Sequence, residues 1–224
     1  MPSARSSSKS SNPAAIASNG VSAVSLILAS ASQARAAMLR QAGLEIEALP
    51  ARIDEEEIKL ALKAEQAPAR QVAEALAELK AQRVARLPQL EGDQRFIIAA
   101  DQMLVCEEQW YDKPADMAAA KRQLQSLRAK PHQLISAVVV ARAGGIVWRH
   151  IDSATLTMRD FSDGFLDAYL AQAGEAVLGS VGAYQLEGLG VQLFSRIQGD
   201  YFTILGLPLL PLLVFLRDNG IVRS

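Results

Sequence analysis

Short apolar runs alternate along the chain with longer segments whose apolar positions recur every three or four residues, the pattern of strands interleaved with helices. Residues 24–29, VSLILA, predict a buried strand, and residues 32–42, SQARAAMLRQA, a helix opened by Ser32 and closed near Gly43. LEIEAL, 44–49, alternates apolar and acidic residues as a half-buried strand does, and Pro50 ends it. A segment rich in alanine, glutamate, lysine and arginine follows from about Pro68 to Leu87. Its spacing of Val72, Leu76, Leu79, Arg83 and Leu87 predicts a helix with one buried face. After the loop PQLEGD, FIIAAD at 96–101 reads as a central strand that ends on an acid. MLVCEEQWYD reads as a hairpin or an extended pair, and Pro114 as the start of a helix to about Leu127. HQLISAVVVARAGGIVWRHIDSATLTMRDF offers two or three long strands turning at Gly144-Gly145. Asp163 to Gln172 predicts a helix, followed by the glycine-rich GEAVLGSVGAYQLEGLG, the strand-like VQLFSRI, and a terminal strand and helix. The pattern is that of an α/β protein with a mixed, twisted sheet and flanking helices, without solenoid or heptad repeat.

The two ends depart from this pattern. Residues 1–20 contain seven serines and few bulky apolar side chains, so they have little to bury against the entropy of ordering and read as a flexible tail. That leaves 21–224 for one large domain or two intimate lobes. Arg5 and Lys9 form only a weak targeting n-region, because Ser22 and Ser25 interrupt the apolar run behind them; a cytoplasmic location is expected. At the other end FTILGLPLLPLLVFL, 202–216, is shorter than the roughly 20 residues needed to span a bilayer. Gly206, Pro208 and Pro211 divide it into a strand, a turn and a helix start, so no membrane partner is expected.

Composition narrows the chemistry. The 224 residues carry 23 basic and 24 acidic side chains, a formal net charge of -1, which argues against a nucleic-acid polymer as partner. The single cysteine, Cys106, excludes an intramolecular disulfide and a thiolate zinc site, and His132 and His150 have no metal-site spacing. No GxxxxGK[ST], GxGxxG or GxSxG sequence occurs.

Five stretches retain chemical interest. LASASQAR, 28–35, delivers Ser30 and Ser32 from a strand to a helix N-terminus with Arg35 in its first turn, a site suited either to a phosphate or to ordinary capping. In IDEEE, 53–57, the acids form a solvated turn before a helix, or one or two of them hold Mg²⁺ or Mn²⁺. Asp101 closes IIAAD, where a carboxylate serves catalysis, a metal or a turn. Lys113 in YDKP, and with less support Lys80 in the 68–87 helix, can point positive charge at a polyphosphate. In GAYQLEGLG, 182–190, Gly188 and Gly190 permit close backbone approach, and Tyr184 and Glu187 could recognise a base or its phosphates; a turn beside the core explains the stretch almost as well.

In this order LASASQAR, the DE of IDEEE, ALAELKA, AADQ, DKP, HQLISAVVV, GAYQLEGLG and GLPL resemble the Maf family of nucleoside triphosphate pyrophosphatases, from about Leu26 to Gly220. The resemblance implies two lobes about a central cleft, frequent dimerisation, and divalent-metal-dependent cleavage of a nucleoside triphosphate to the monophosphate and pyrophosphate. By motif, Ser30, Ser32 and Arg35 match the phosphate-binding segment, Lys80 and Lys113 the family's two lysines, and Asp101 its usual catalytic base. Glu55 matches the acid after the motif aspartate, and with Asp101 it becomes the expected holder of Mg²⁺ or Mn²⁺.

Three departures bear on specificity. The family's usual Ser-Pro-Arg-Arg is here Ser32-Gln33-Ala34-Arg35, Ala-Asp-Thr is Ala100-Asp101-Gln102, and the glutamine before the late glycine is Glu187. Gln102 and Glu187 resemble the subgroup acting on 7-methyl-GTP, whereas Ala183-Tyr184 resembles the one acting on dTTP and UTP. The alternatives are therefore a 7-methyl-GTP-preferring pyrophosphatase and, given the altered SQAR, a nucleotide-binding regulator of cell division with weak catalysis.

Overall fold

The computed structural model describes residues 26–223, so the expected tail and the first two positions of the VSLILA strand lie outside the described residues. The elements, in chain order, are β1 (Leu26–Leu28), α1 (Gln33–Gln41), β2 (Ile46–Ala48), α2 (Glu55–Ala64), α3 (Ala69–Ala85), β3 (Ile97–Cys106), β4 (Gln109–Tyr111), α4 (Met117–Leu127), β5 (Pro131–Arg142), β6 (Gly145–Met158), α5 (Asp163–Ala173), β7 (Phe194–Gln198), α6 (Tyr201–Ile204) and α7 (Leu209–Asp218). The sheet runs β2-β1-β3-β5-β6-β7, and β4 pairs with β3. β1 is parallel to β2 and β3, and the remaining pairs are antiparallel, giving the mixed sheet expected.

Strand alternation sorts the core into layers. Ile27, Ile97, Ala99, Met103, Ala137 and Val139 face α3, while Leu28, Ile98, Ala100, Val138 and Val140 face α1 and α7. The second lobe has its own core, in which Leu104, Leu134, Leu156 and Met158 from the far half of the sheet meet Leu124 of α4 and Leu166 of α5.

β3 determines where the cleft opens. It does not end on Asp101 but runs on to Cys106, because β5 pairs with it continuously from Ile97↔Ala141 to Val105↔Gln133. On its other edge β1 covers only Ile97 and Ile98, and β4 only Leu104 to Cys106. Ala99 to Met103 therefore have a strand neighbour on one side alone, and Asp101 stands in the middle of that gap.

Other expectations shift by smaller amounts. The buried stripe of α3 is Val72, Ala73, Leu76, Ala77, Lys80, Ala81 and Val84; Leu79 and Arg83 are exposed. Alanines at 73, 77 and 81 let the helix lie close to the sheet, a preference that leucine spacing does not reveal. α4 begins at Met117, capped by Asp116, after Pro114. The β5–β6 turn is Ala143-Gly144, with Arg142 paired to Gly145, one residue earlier than Gly144-Gly145 suggests. Its two residues have φ of 49° and 81°, as a two-residue hairpin turn requires. The expected terminal strand is instead the single helical turn α6, because the Asp200 side chain accepts from Thr203 N at 3.0 Å and caps it. α7 then packs Leu209, Leu212 and Leu216 into the core, and no described helix is long and apolar enough to cross a membrane.

His132 is 2% exposed beside the cleft loop, and its Nε2 lies 2.8 Å from the Tyr184 hydroxyl. Burial pushes its pKa down from 6.5 to about 4, so between those values the unfolded chain binds a proton that the folded chain refuses. Stability contributed by neutral His132 is complete above pH 6.5 and falls as the pH drops toward 4, by about 3 kcal/mol at the limit. In urea unfolding at pH 7 and 4.5, His132→Gln, which cannot protonate, loses less stability on acidification than the wild-type chain; equal losses would show that His132 is not the acid-labile group.

Candidate active site

Two adjacent residues of β3 point to opposite faces of the sheet and organise the site between them. Asp101 shares the face of Ile97, Ala99 and Met103, toward α3. Its Oδ1 accepts from Lys80 Nζ at 2.5 Å, and the same ammonium lies 2.8 Å from Glu55 Oε1. Lys80 and Asp101 are 7% and 4% exposed, so this pairing is made largely out of water. Asp101 Oδ2 is buried with no partner among the described residues.

Glu55 enters this cluster as the first residue of α2. Asp54 caps that helix through Glu57 N at 3.0 Å, and the acids of the first turn complement the helix dipole. Burial works against the Glu55 carboxylate, but the charge and hydrogen bond of Lys80 outweigh it and hold the carboxyl below its ordinary pKa. The acidic run thus contains one residue turned into the cleft and a capping aspartate, while Glu57 is exposed and Glu56 lies exposed at the rim.

Gln102 takes the opposite side. Its Nε2 donates to Ser136 Oγ at 3.0 Å and to the carbonyls of Thr203 and Ile204 at 3.1 and 3.0 Å, tying β3 to α6. Arg35 crosses the gap in the sheet edge. Nη1 donates to the Ala100 carbonyl at 2.8 Å, which β1 is too short to pair, and Nε donates to the Gly206 carbonyl at 2.8 Å. Gly206 has φ of 93°, and a Cβ there would lie 3.2 Å from Arg35 Nη2, so the turn leaves room for the guanidinium. Burial lowers the Arg35 pKa, and the charges of Asp101 and Glu55 oppose that shift. Ser30 Oγ accepts from Ser32 N at 3.2 Å and from Arg35 Nη1 at 3.3 Å, while Ser32 caps α1.

Lys113 and Glu187 are exposed at the rim. Loss of hydration in the cleft, followed by the charge of Arg35, lowers the Lys113 ammonium from its ordinary value. The nine site residues named from sequence, Ser30, Ser32, Arg35, Glu55, Lys80, Asp101, Gln102, Lys113 and Glu187, all line one cavity of about 780 Å³. Tyr184 also lines it, but its hydroxyl is taken by His132. Gly190 is needed for the loop's own packing, since a Cβ there would lie 2.4 Å from the Gln185 carbonyl oxygen.

Sequence reasoning passes over a second charged group on the same wall. Lys59 Nζ meets Asp112 Oδ1 at 2.5 Å, and Lys63 sits 5.5 Å from the centre of the Trp110 ring. All four line the cavity. The available signal is the four-residue spacing of Glu55, Lys59 and Lys63, which places them on one face of α2.

Comparison with known proteins finds relatives along nearly all of the described residues. The Maf-like protein family matches residues 25–219. A protein of Paramagnetospirillum magneticum named nucleoside triphosphate pyrophosphatase is 57% identical over 87% of this chain and 98% of its own length. One of the same name from Granulibacter bethesdensis is 52% identical over 87% and 96%. A Rhizobium meliloti protein named 7-methyl-GTP pyrophosphatase is 51% identical over 89% and 98%. With a family match spanning nearly all the described residues and relatives about half identical, the chain belongs to the Maf-like protein family.

Proposed function

We propose that the chain hydrolyses a nucleoside triphosphate between its α and β phosphorus atoms, releasing the monophosphate and pyrophosphate. The observation that carries this reading is the buried Lys80–Asp101 pair, shared with the half-exposed Glu55 and carrying an unpartnered Asp101 Oδ2, set in a cavity large enough for a nucleotide. The names of relatives about half identical over most of the chain support it.

Asp101 is the residue to take a proton from the attacking water, with Oδ2 free to accept it while Oδ1 stays on Lys80. The water oxygen bonds to phosphorus, the bond to the α,β-bridging oxygen breaks, and pyrophosphate leaves with the electron pair. Lys80 and Lys113 lower the cost of the charge that builds on the departing group. Arg35 holds β3, Ser30 and the Gly206 turn in register and adds fixed positive charge. Ser30, Ser32 and the N-terminus of α1 offer hydroxyls and backbone N–H groups to phosphate oxygens, and Gln102 positions α6 beneath them.

A divalent cation fits the donor set. Among the described residues no group of three or more His, Cys, Asp and Glu stands ready for a metal. Two carboxylates with an orphaned oxygen, completed by phosphate oxygens and water, nevertheless suit Mg²⁺ or Mn²⁺, which favour oxygen and keep part of their hydration. Glu55 and Asp101 are the residues that would hold it. When bound, the cation supplies neutralisation of phosphate charge and a more acidic water.

Two readings of the base remain open to experiment. Gln102 and Glu187, together with the Rhizobium meliloti relative, favour 7-methyl-GTP, and the Ala183-Tyr184 pair favours dTTP or UTP. A panel of dTTP, UTP, CTP and 7-methyl-GTP, with Mg²⁺, Mn²⁺ or chelator, separates them. Metal-dependent appearance of monophosphate and pyrophosphate is expected; orthophosphate as the first product, or tight nucleotide binding without turnover, would refute the reaction.

Asp101→Asn is nearly isosteric and is expected to lower kcat by about 100-fold or more, with steady-state kinetics on a variant shown to be folded by its thermal midpoint as the check. Normal turnover would remove Asp101 from the chemistry. Lys113 faces Arg35, Glu55, Lys80 and Asp101, and its lowered pKa means its charge is lost at lower pH than the ordinary 10.5. The alkaline limb of kcat/KM is accordingly expected below that value, and Lys113→Arg is expected to move it to higher pH.

A further inference from the structure

Beyond that assignment, and resting on it, we propose that Lys59 is a third triphosphate-binding lysine, held in reserve by Asp112 and transferred to the substrate when the cleft fills. Five cationic and five anionic side chains line the cavity, so the empty cleft is close to neutral. A triphosphate brings several negative charges, and cations already present must exchange partners to meet them.

The partners differ in how readily they release. Lys80 is buried between two carboxylates, one of them also buried, and withdrawing it would strand charge in a dry site. Arg35 is committed to the carbonyls of Ala100 and Gly206. Lys59 is different. Its side chain is only 16% exposed, yet that of Asp112 is 64% exposed, so the acid returns to water at little cost when the lysine leaves. Burial opposes the Lys59 charge, but the hydrogen bond and charge of Asp112 raise its pKa, and the ammonium stays protonated until it is needed. Geometry completes the case: Lys59 stands one helical turn after Glu55 on the cleft face of α2, and Asp112 immediately precedes Lys113. The pair joins the helix carrying one proposed metal-holding acid to the segment carrying a phosphate-binding lysine.

A reserve cation and a purely structural strap make opposite forecasts. If Lys59 moves to the phosphates, Lys59→Gln raises KM, and the Kd for an α,β-methylene triphosphate, by about fivefold or more. Lys59→Arg restores most of the loss, and Asp112→Asn, by freeing the lysine, lowers both constants up to a few-fold. A strap instead makes Lys59→Gln and Asp112→Asn alike in kinetics and in thermal midpoint. The test is steady-state pyrophosphate release by wild type and these three variants, with calorimetry of the non-hydrolysable analogue. Opposite movements of KM in Lys59→Gln and Asp112→Asn support the transfer; an unchanged KM in Lys59→Gln, or parallel rises in both, overturns it. A wild-type chain that releases pyrophosphate from no triphosphate would instead bring down the pyrophosphatase assignment itself.

Discussion

The buried ion pair between Lys80 and Asp101 is tolerable only because the sheet and α3 meet around it in one geometry. Each charge loses most of its hydration, and removing either partner alone would cost about 3–5 kcal/mol through the charge left behind. That constraint reaches outward. It needs Asp101 on the α3 face of β3, which fixes Gln102 on the other face. It also needs Lys80 on the buried stripe of α3, which the alanines at 73, 77 and 81 permit by bringing the helix close. Glu55 then shares the ammonium from the start of α2.

The open stretch of the β3 edge supplies the complementary half of the design. A sheet with β1 three residues longer would cover Ala99 to Asp101 and close this stretch of the edge. As built, the Ala100 carbonyl would be an unpaired edge acceptor, and Arg35 satisfies it while also bonding the Gly206 turn. One side chain thereby links the β1–α1 junction, the strand bearing Asp101 and the turn after α6. An exchange of Arg35 for lysine would keep the charge and lose the fork that spans these carbonyls.

Legibility in the sequence followed the strength of local signals. The order of strands and helices, the Ser32 cap, the β3–β4 hairpin and the α5 helix all rest on hydrophobic period or on turn and cap chemistry within a few residues. The misses have non-local causes. FIIAAD stops looking apolar at Asp101, yet β5 carries the strand on to Cys106. Leucine spacing points α3 toward Leu79 and Arg83, whereas close packing on a sheet selects the alanine face. Phe202 to Ile204 has strand-like residues, but the Asp200 cap makes a helical turn. The nine candidate site residues are named on types and order that match a family pattern; that they line one cavity is a fact of the fold. Lys59 and Asp112 were invisible, since a lysine in a charged helix and an acid beside a motif lysine look like solvated surface until the fold brings them within 2.5 Å.

The near balance of charge over the whole chain recurs on the scale of the cleft, and there it has a mechanical meaning. A cavity lined only by cations would bind triphosphate strongly but also hold the pyrophosphate it makes, slowing release. Here three of the five cations rest on internal oxygen partners: Lys80 on two carboxylates, Arg35 on two carbonyls, Lys59 on an exposed aspartate. These partners compete with phosphate oxygens for the same donors, so ground-state attraction is discounted, and the benefit is greatest where negative charge accumulates during bond cleavage. Interactions that strengthen only as the leaving group departs raise turnover, whereas those made equally to the bound substrate do not. On the proposed reading, the internal pairing would tilt the site toward the transition state.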